Sequence, residues 1–279
     1  MKECYGKHFI KNGALLPVDD FDNSMVYEGE TIYEVLRVIK GVPLFFNDHY
    51  ERLVTSLLNR RRTNLATFRS LLGSIKTLAG AGQQDEEVNL KIVFNYNHSE
   101  SHSLVYFVKA SYPSAQQYRD GVAGILFRAE RTDPASKVVN HELRASIEAG
   151  LAATKAYEAL LVNSKNLITE GSRSNIFFIK GGILFTAPDN LVLGGITRRR
   201  LLDICRANGT DVRYECVNTG TIYSYDSVLM SGTSPILLPF KSVDKNMFAV
   251  DNPLIEKLRE MFMEKARQSI DSFIAEKFI

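Results

Sequence analysis

The chain has 279 residues, of which 45% are hydrophobic and 24% are charged, and 34 Lys+Arg against 32 Asp+Glu give a formal net charge of +2. This composition is typical of a globular protein and argues against disordered, collagen-like and coiled-coil chains. The balanced charge argues against a protein that binds nucleic acid by neutralising its phosphates. The three cysteines are scattered, which predicts a cytoplasmic protein without a cysteine metal site. No apolar run approaches 18 residues, so no membrane span is expected, and the first residues do not resemble a signal peptide.

The first third of the chain predicts a small unit of mixed strands and helices. An Asn-Gly pair at 12–13 predicts the turn of a hairpin, and residues 31–39 are rich in β-branched side chains and predict a strand. Helical spacing follows from about His49, with Asn47 or Asp48 as the expected cap. The remaining predicted elements of this part are a helix over 68–78 and strands over 88–96 and 103–111.

A mostly polar segment at 112–121 contains one proline and predicts a boundary between two domains. We therefore expect a small N-terminal domain over 1–111, a linker over 112–121 and a larger domain over 122–279. The larger domain is predicted to contain strands over 122–130, 159–162, 175–179, 183–186 and 227–230, and helices over 140–157, 197–208 and from Pro253.

Three loops of the larger domain carry residues that suit a binding site. Thr169–Asn175 (TEGSRSN) lies between two predicted strands and holds a glutamate. The glycines at 194–195 precede the helix that Thr197 is expected to cap, and backbone N–H groups at such a helix start suit a phosphate. Ser231–Ser234 (SGTS) follows a predicted strand. Each loop taken alone is equally typical of an ordinary capped turn.

The order of these features along the chain resembles the class IV aminotransferases, the fold-type-IV pyridoxal-phosphate enzymes. That family includes branched-chain aminotransferases, D-amino-acid aminotransferases and aminodeoxychorismate lyases. The matching segments are Tyr33-Glu34-Val35, Asp48-His49-Tyr50-Glu51-Arg52-Leu53, Lys137-Val138-Val139-Asn140, Thr169-Glu170-Gly171-Ser172-Arg173-Ser174-Asn175, Gly195-Ile196-Thr197 and Ser231-Gly232-Thr233. The resemblance implies an α+β fold of two domains like that of the D-amino-acid aminotransferases, with a small N-terminal and a larger C-terminal α/β domain.

The resemblance also implies pyridoxal 5'-phosphate as the cofactor and assigns residues to it. Lys137 is expected to hold the cofactor as a Schiff base and then to carry a proton as general acid and base. Glu170 is expected to keep the pyridine nitrogen protonated. Arg52, together with the helix-start N–H groups of Ile196 and Thr197, is expected to bind the phosphate.

The remaining site residues follow from the same resemblance. Thr233 and the backbone of Gly232 are expected to contact the phosphate or the substrate carboxylate, with Ser234 beside them. Tyr33 is expected to line the substrate side of the pocket, and Asn140 to hold the Lys137 segment. Family members are homodimers or larger, so a homodimer is expected, with an amino acid and a 2-oxo acid as substrates.

Three functions stay open at this point. The first is transamination of a branched-chain or similar amino acid, and the second is the lyase reaction that releases pyruvate and forms 4-aminobenzoate. The third is the non-catalytic role of a degenerate family member. The turn at 27–31 (YEGET) departs from the family's small-residue turn. Lys91 stands on a strand that lacks the arginine of D-amino-acid aminotransferases, and it is either a carboxylate ligand or an ordinary surface lysine.

Overall fold

The computed structural model describes residues 2–62, 66–82, 87–97, 100–131 and 133–275. The chain folds into two compact units that both mix helices with strands, which confirms the predicted α+β class. The first unit comprises Met1–Ser111, Ser136–Val139 and Lys265–Ile279, and the second comprises Tyr112–Ala135 and Asn140–Glu264. The segment predicted as a linker contains a short helix, and the division into domains over 1–111 and 122–279 stays a prediction.

The first unit is built on a single antiparallel sheet. Its strands and helices are β1 (Cys4–Lys11), β2 (Ala14–Pro17), α1 (Ser24–Tyr27), β3 (Glu30–Ile39), β4 (Val42–Pro43), α2 (Phe46–Asn59), α3 (Phe68–Gly80), β5 (Glu87–Tyr96) and β6 (Ser101–Val108). The strands follow the spatial order β2-β1-β6-β5-β3-β4. The hairpin predicted at 12–13 is confirmed, because Asn12 and Gly13 adopt φ angles of 51° and 84°, as a two-residue primed turn requires.

The two faces of this sheet are covered by different side chains. On one face, Ile32 and Leu36 of β3 pack with Leu53 of α2 in a buried cluster. On the other face, Tyr33 packs against a second cluster that includes Tyr106 of β6. Successive side chains of a strand point to opposite faces, so the neighbours Tyr33 and Glu34 face opposite sides of the sheet.

The predicted start of helix α2 is wrong by a few residues. The helix begins at Phe46, and Phe45 precedes it in the left-handed conformation with φ 53° and no side-chain cap. Asp48, one of the two expected caps, lies inside the first turn instead. A carboxylate in the first turn still favours the helix, because it faces the positive end of the helix dipole.

The second unit is built on a larger mixed sheet. Its elements are α4 (Ala115–Asp120), β7 (Val122–Arg128), α5 (His141–Thr154), β8 (Glu158–Val162), β9 (Leu167–Gly171), β10 (Asn175–Lys180), β11 (Ile183–Thr186), α6 (Ile196–Ala207), β12 (Val212–Tyr214), β13 (Val217–Asn218), β14 (Ser227–Gly232), β15 (Ile236–Val243), β16 (Asn246–Met247) and α7 (Pro253–Ala275), whose last turns belong to the first unit. The strand order is β12-β11-β10-β14-β15-β7-β8-β9-β13, with β16 paired to β15.

Two of the loops predicted in this unit are shorter than expected. Thr169, Glu170 and Gly171 form the end of strand β9, so the loop proper covers only 172–174. Strand β14 likewise continues to Gly232.

Helix α6 begins one residue early, at Ile196, and Gly195 is its cap, so the cap predicted at Thr197 is wrong. Over the described ranges, no helix combines the length and apolar character that crossing a membrane requires.

Candidate active site

Lys137 lies on a short segment that runs beside strand β3 in the first unit. The backbone N–H of Tyr33 donates to the Lys137 carbonyl at 3.1 Å, and the N–H of Val139 donates to the Thr31 carbonyl at 3.0 Å. The Lys137 N–H donates to Ser56 Oγ of α2 at 3.3 Å. In this arrangement Lys137 Nζ lies 4.9 Å from the centroid of the Tyr33 ring. The structure thus brings together the lysine and the tyrosine that the sequence singled out.

Arg52, the predicted phosphate-binding arginine, is held on helix α2 by Glu34 of strand β3. Arg52 Nε donates to Glu34 Oε1 at 2.8 Å, and Nη2 donates to Oε2 at 2.7 Å. Two parallel hydrogen bonds of this kind orient a guanidinium as well as bind it. The Glu34 side chain is 1% exposed and that of Arg52 is 12% exposed. These two contacts use Nε and Nη2 of the guanidinium.

His49 joins Glu34 and Arg52 in a buried polar cluster. Its Nδ1 lies 2.8 Å from Glu34 Oε2. Burial lowers the pKa of His49, although Glu34 opposes the shift, so at neutral pH the ring is uncharged and donates Nδ1–H to the carboxylate. Burial alone would raise the pKa of Glu34, but Arg52 and His49 together bring it to about 2. The cluster therefore holds one negative and one positive charge.

Glu170 lies at the end of strand β9 in the second unit and is 3% exposed. The Arg131 guanidinium approaches its Oε1 at 2.9 Å, and the backbone N–H of Leu193 donates to its Oε2 at 3.1 Å. A buried carboxylate held by a guanidinium and a backbone donor is stabilised in its charged form. Such a group can keep a proton on a basic nitrogen beside it.

Asn175 fixes the loop that leads into helix α6. Its Nδ2 donates to the Leu193 carbonyl at 2.9 Å, and the Gly195 N–H donates to the same carbonyl at 2.7 Å. A Cβ at Gly195 would collide with Asn175 Oδ1, so glycine is required there by this close approach. The backbone N–H groups of Ile196 and Thr197 follow at the helix start, where no side chain acts as a cap.

Ser231 lies opposite Asn175 on the neighbouring strand β14, so the two side chains share one face of the sheet. Ser231 is 1% exposed, and its Oγ contacts no hydrogen-bond partner among the residues that the structure describes. Gly232 pairs with Ile236 of β15, so Thr233, Ser234 and Pro235 form the tip of a tight hairpin. Thr233 and Ser234 are half-buried there.

Glu158 holds the loop between β9 and β10 and was missed by sequence reasoning. This residue is 3% exposed, and its carboxylate accepts hydrogen bonds from the hydroxyls of Ser172 and Ser174 at 2.5 and 2.9 Å and from the Ser172 N–H at 3.1 Å. A Cβ at Gly171 would collide with Ser174 Oγ. The loop is therefore folded around a buried carboxylate that lies only 14 residues before Ser172 in the chain.

Lys91 is not the surface lysine that one of the two interpretations of the sequence expected. It is 2% exposed, and its Nζ lies 2.7 Å from Glu3 Oε1. Hydroxyls of Tyr27 and Tyr106 donate to the other carboxylate oxygen of Glu3, at 3.1 and 3.2 Å. Lys91 Nζ also lies 5.1 Å from the Tyr33 ring centroid. Its charge is thus balanced within the first unit by a carboxylate of the chain itself.

Asn140, which was expected to hold the Lys137 segment, lies at the start of helix α5. It caps this helix, where its side chain accepts a hydrogen bond from the Leu143 N–H at 3.0 Å.

Three further residues of the site were given no role from the sequence. Glu34 and His49 stand within the two matched N-terminal segments, and Arg131 lies outside every matched segment. The one available signal for Glu34 and His49 was that they belong to these matched segments, which does not specify a partner.

Each unit taken by itself carries donor groups whose chemistry suits pyridoxal phosphate. In the first unit Lys137 supplies an amine and Arg52 an oriented guanidinium, and in the second unit Glu170 supplies a buried carboxylate. The observation that points to a bound group is the unpartnered Ser231 Oγ, since a buried hydroxyl without a partner is unfavourable. Ser231 shares a sheet face with Asn175, which contacts the start of α6, and a phosphate oxygen would satisfy both the hydroxyl and the helix-start N–H groups.

Comparison with known proteins defines the family. The family model described as amino-transferase class IV matches residues 31–243, so the chain belongs to the class IV aminotransferases and is an enzyme of that family. A D-alanine aminotransferase of Bacillus licheniformis is 25% identical over 77% of this chain and 80% of its own length.

Two solved structures share the fold. The branched-chain amino acid aminotransferase of Escherichia coli has a TM-score of 0.83 at 18% identity and covers 94% of this chain and 95% of its own. A putative 4-amino-4-deoxychorismate lyase of Legionella pneumophila subsp. pneumophila str. Philadelphia 1 has a TM-score of 0.75 at 24% identity, over 85% and 91%. The predicted family and its fold are confirmed.

Proposed function

We propose that this enzyme uses pyridoxal 5'-phosphate to move an amino group from an amino acid to a 2-oxo acid, with a branched-chain or similar amino acid as the donor. The observation that carries the proposal is the placement of Lys137, whose Nζ lies beside the Tyr33 ring on a segment bonded to β3. Membership of the class IV family supports it, as does a branched-chain aminotransferase of similar fold that was solved in complex with N-(5'-phosphopyridoxyl)-L-glutamate.

The proposed cofactor ligands each contribute one kind of contact. Arg52, which Glu34 orients, binds the phosphate through its guanidinium. The N–H groups of Ile196 and Thr197, with the Gly232 backbone and the Thr233 hydroxyl, donate to the same group. Glu170, held by Arg131 and the Leu193 N–H, keeps a proton on the pyridine nitrogen.

The reaction then requires a proton to leave the substrate Cα and to be returned at a different carbon. When bound, pyridoxal phosphate supplies an aldehyde carbon that condenses with amines and a ring that withdraws electrons from the adjacent carbon. The amine of Lys137 removes the Cα proton and delivers it at the C4′ atom as general base and then acid. Tyr33 lines the substrate side, and Thr233 and Ser234 bind the substrate carboxylate.

A second candidate is the lyase reaction, which the structural likeness to the Legionella protein favours. In that reaction the same residues would promote release of pyruvate rather than exchange of the amino group. A third, non-catalytic role is motivated by the unusual turn at 27–31. We also infer a homodimer in the cytoplasm from the family resemblance, and the mass of the protein in solution tests the dimer.

The test compares the two products directly. The cofactor-loaded enzyme is incubated with a panel of ¹⁵N-labelled amino acids and 2-oxo acids, and separately with aminodeoxychorismate. Transfer of label to the 2-oxo acid supports the aminotransferase, and release of pyruvate with 4-aminobenzoate supports the lyase. If the loaded enzyme forms neither product, the result contradicts both the aminotransferase and the lyase reaction, and the non-catalytic role remains.

A further inference from the structure

Lys91 shares one face of the sheet of the first unit with Tyr33 and is buried there. It stands opposite Val35 of β3 and opposite Tyr106 of β6, and Tyr33 comes two residues before Val35 on the same face. The Nζ atoms of Lys91 and Lys137 lie 5.1 and 4.9 Å from the centroid of the Tyr33 ring. One aromatic ring therefore lies beside both the proposed cofactor lysine and a second cation that the proposed reaction does not use.

Glu3 is the anion that Lys91 binds. Its Oε1 lies 2.7 Å from Lys91 Nζ, and its Oε2 accepts hydrogen bonds from the hydroxyls of Tyr27 and Tyr106 at 3.1 and 3.2 Å. The Glu3 backbone N–H also donates to Asn23 Oδ1 at 2.9 Å. Both carboxylate oxygens and the backbone of Glu3 are thus held by the chain itself, which keeps this carboxylate at the lysine.

The ion pair of Lys91 and Glu3 determines which groups are tolerated beside the Tyr33 ring. A buried ammonium without its own anion would attract a carboxylate of the substrate. A substrate carboxylate that displaced Glu3 would leave the Glu3 charge without its cation, and an unpaired charge of this kind is strongly unfavourable. A carboxylate that approached without displacing Glu3 would be repelled by it, because like charges repel strongly where water is excluded.

We propose that Glu3 is a specificity-determining residue that occupies Lys91 and so excludes a second carboxylate from the Tyr33 side of the site. The proposal rests on the proposed function, because it takes Tyr33 to line the substrate side. The amino donor and the 2-oxo acid acceptor then both have uncharged side chains, so the amino group passes between two monocarboxylic partners. Such specificity comes from an unfavourable interaction with the wrong substrate.

The first test measures binding without turnover. The cofactor-loaded enzyme is titrated calorimetrically with glutarate and with pentanoate, which has the same carbon chain and lacks the second carboxylate. We expect Glu3→Gln to bind glutarate about tenfold more tightly than the unaltered enzyme does, because Lys91 is then open to a ligand carboxylate, and to bind pentanoate equally well.

Two variants serve as controls for this binding test. Glu3→Asp keeps the negative charge, and Glu51→Gln removes the charge of an exposed glutamate in the same unit. Both should gain much less affinity for glutarate than Glu3→Gln does. The absence of a gain that is selective for glutarate in Glu3→Gln, or an equal gain in Glu51→Gln, would overturn the proposal.

The second test measures the choice of acceptor. The enzyme loaded with pyridoxamine phosphate is mixed with 2-oxoglutarate or 2-oxopentanoate, and the return of the pyridoxal phosphate absorbance gives a second-order rate constant for each acid. We expect the unaltered enzyme to favour 2-oxopentanoate and Glu3→Gln to shift the ratio about tenfold towards 2-oxoglutarate. The doubly altered protein, with Glu3→Gln and Lys91→Met, should lose this shift.

Two results of the acceptor test would overturn the proposal. One is an unaltered enzyme that favours 2-oxoglutarate, and this result does not depend on whether any variant folds. The other is a ratio that is the same in the unaltered enzyme and in Glu3→Gln. Failure of the proposed function looks different, because neither acid would then restore the absorbance, while the binding test would still decide on Glu3.

Discussion

Glu34 and Arg52 come from different elements, strand β3 and helix α2, and meet through two parallel hydrogen bonds of 2.8 and 2.7 Å. The Glu34 carboxylate is buried, and His49 adds a third contact to it. A guanidinium held at one edge in this way keeps its other edge in a fixed direction, which suits recognition of a phosphate. Glu34 is therefore the residue on which the orientation of the proposed phosphate arginine depends.

Replacement of this carboxylate should weaken both the fold and the cofactor site. We expect Glu34→Gln to lower the free energy of unfolding by about 3 to 5 kcal/mol, because Arg52 keeps its buried charge without a counterion. Urea unfolding of the apoprotein measures the first effect, and the dissociation constant for pyridoxal phosphate measures the second. Glu51→Gln is the control, since Glu51 is exposed on the same helix. Equal effects of the two substitutions would contradict this role of Glu34.

The same pair predicts a pH dependence of stability. The pKa of Glu34 is about 2 in the folded protein, below its usual 4.5, so the folded state favours the ionised carboxylate. The stabilisation, on the order of 3 kcal/mol, is complete above pH 4.5 and is lost as the pH falls towards 2. The difference in unfolding free energy between the unaltered protein and Glu34→Gln should shrink between about pH 5 and pH 3. A difference that is constant over this range would show that ionisation of Glu34 is not its source.

Alanine substitutions at the two adjacent glycines before helix α6 should differ in their effect on cofactor binding. A methyl group at Gly195 would collide with Asn175 Oδ1, whereas one at Gly194 would meet no atom within 4 Å. We expect Gly195→Ala to displace the helix start and to weaken cofactor binding at least tenfold, and Gly194→Ala to change it less than threefold. Titration of each apoprotein with pyridoxal phosphate, followed by absorbance, measures both. Similar affinities for the two variants would argue against a phosphate at this helix start.

Much of the fold followed from local patterns in the sequence. The Asn12-Gly13 turn needs two left-handed residues, and both residue types adopt that conformation readily, so the hairpin was predictable. The start of α2 was not, because Phe45 in the left-handed region replaces the expected polar cap. The prediction that Thr197 caps α6 was also wrong, since the cap is Gly195 and Thr197 lies inside the helix. Asn175 contacts the loop that precedes the helix, and the local sequence does not reveal this contact.

Lys137 and Glu170 were singled out by the order of the matched segments along the chain, and their roles stay predictions. Residues that form hydrogen bonds or ion pairs with distant side chains were not predictable from the sequence. Glu158 binds two serines of the next loop, and Lys91 finds its partner in Glu3, 88 residues away. These pairings depend on strand register and on packing between distant segments, and a local pattern reveals neither.

The central claim is that Lys137 carries the cofactor, and borohydride reduction tests it most directly. The loaded protein is reduced, digested and analysed by mass spectrometry, with Lys137→Ala and the exposed-lysine control Lys165→Ala treated in parallel. We expect a visible absorbance that borohydride removes and a pyridoxyl mass on the peptide that contains Lys137, absent from Lys137→Ala and present in Lys165→Ala. A pyridoxyl group on another lysine, or a protein that stays colourless with added pyridoxal phosphate, would contradict the claim.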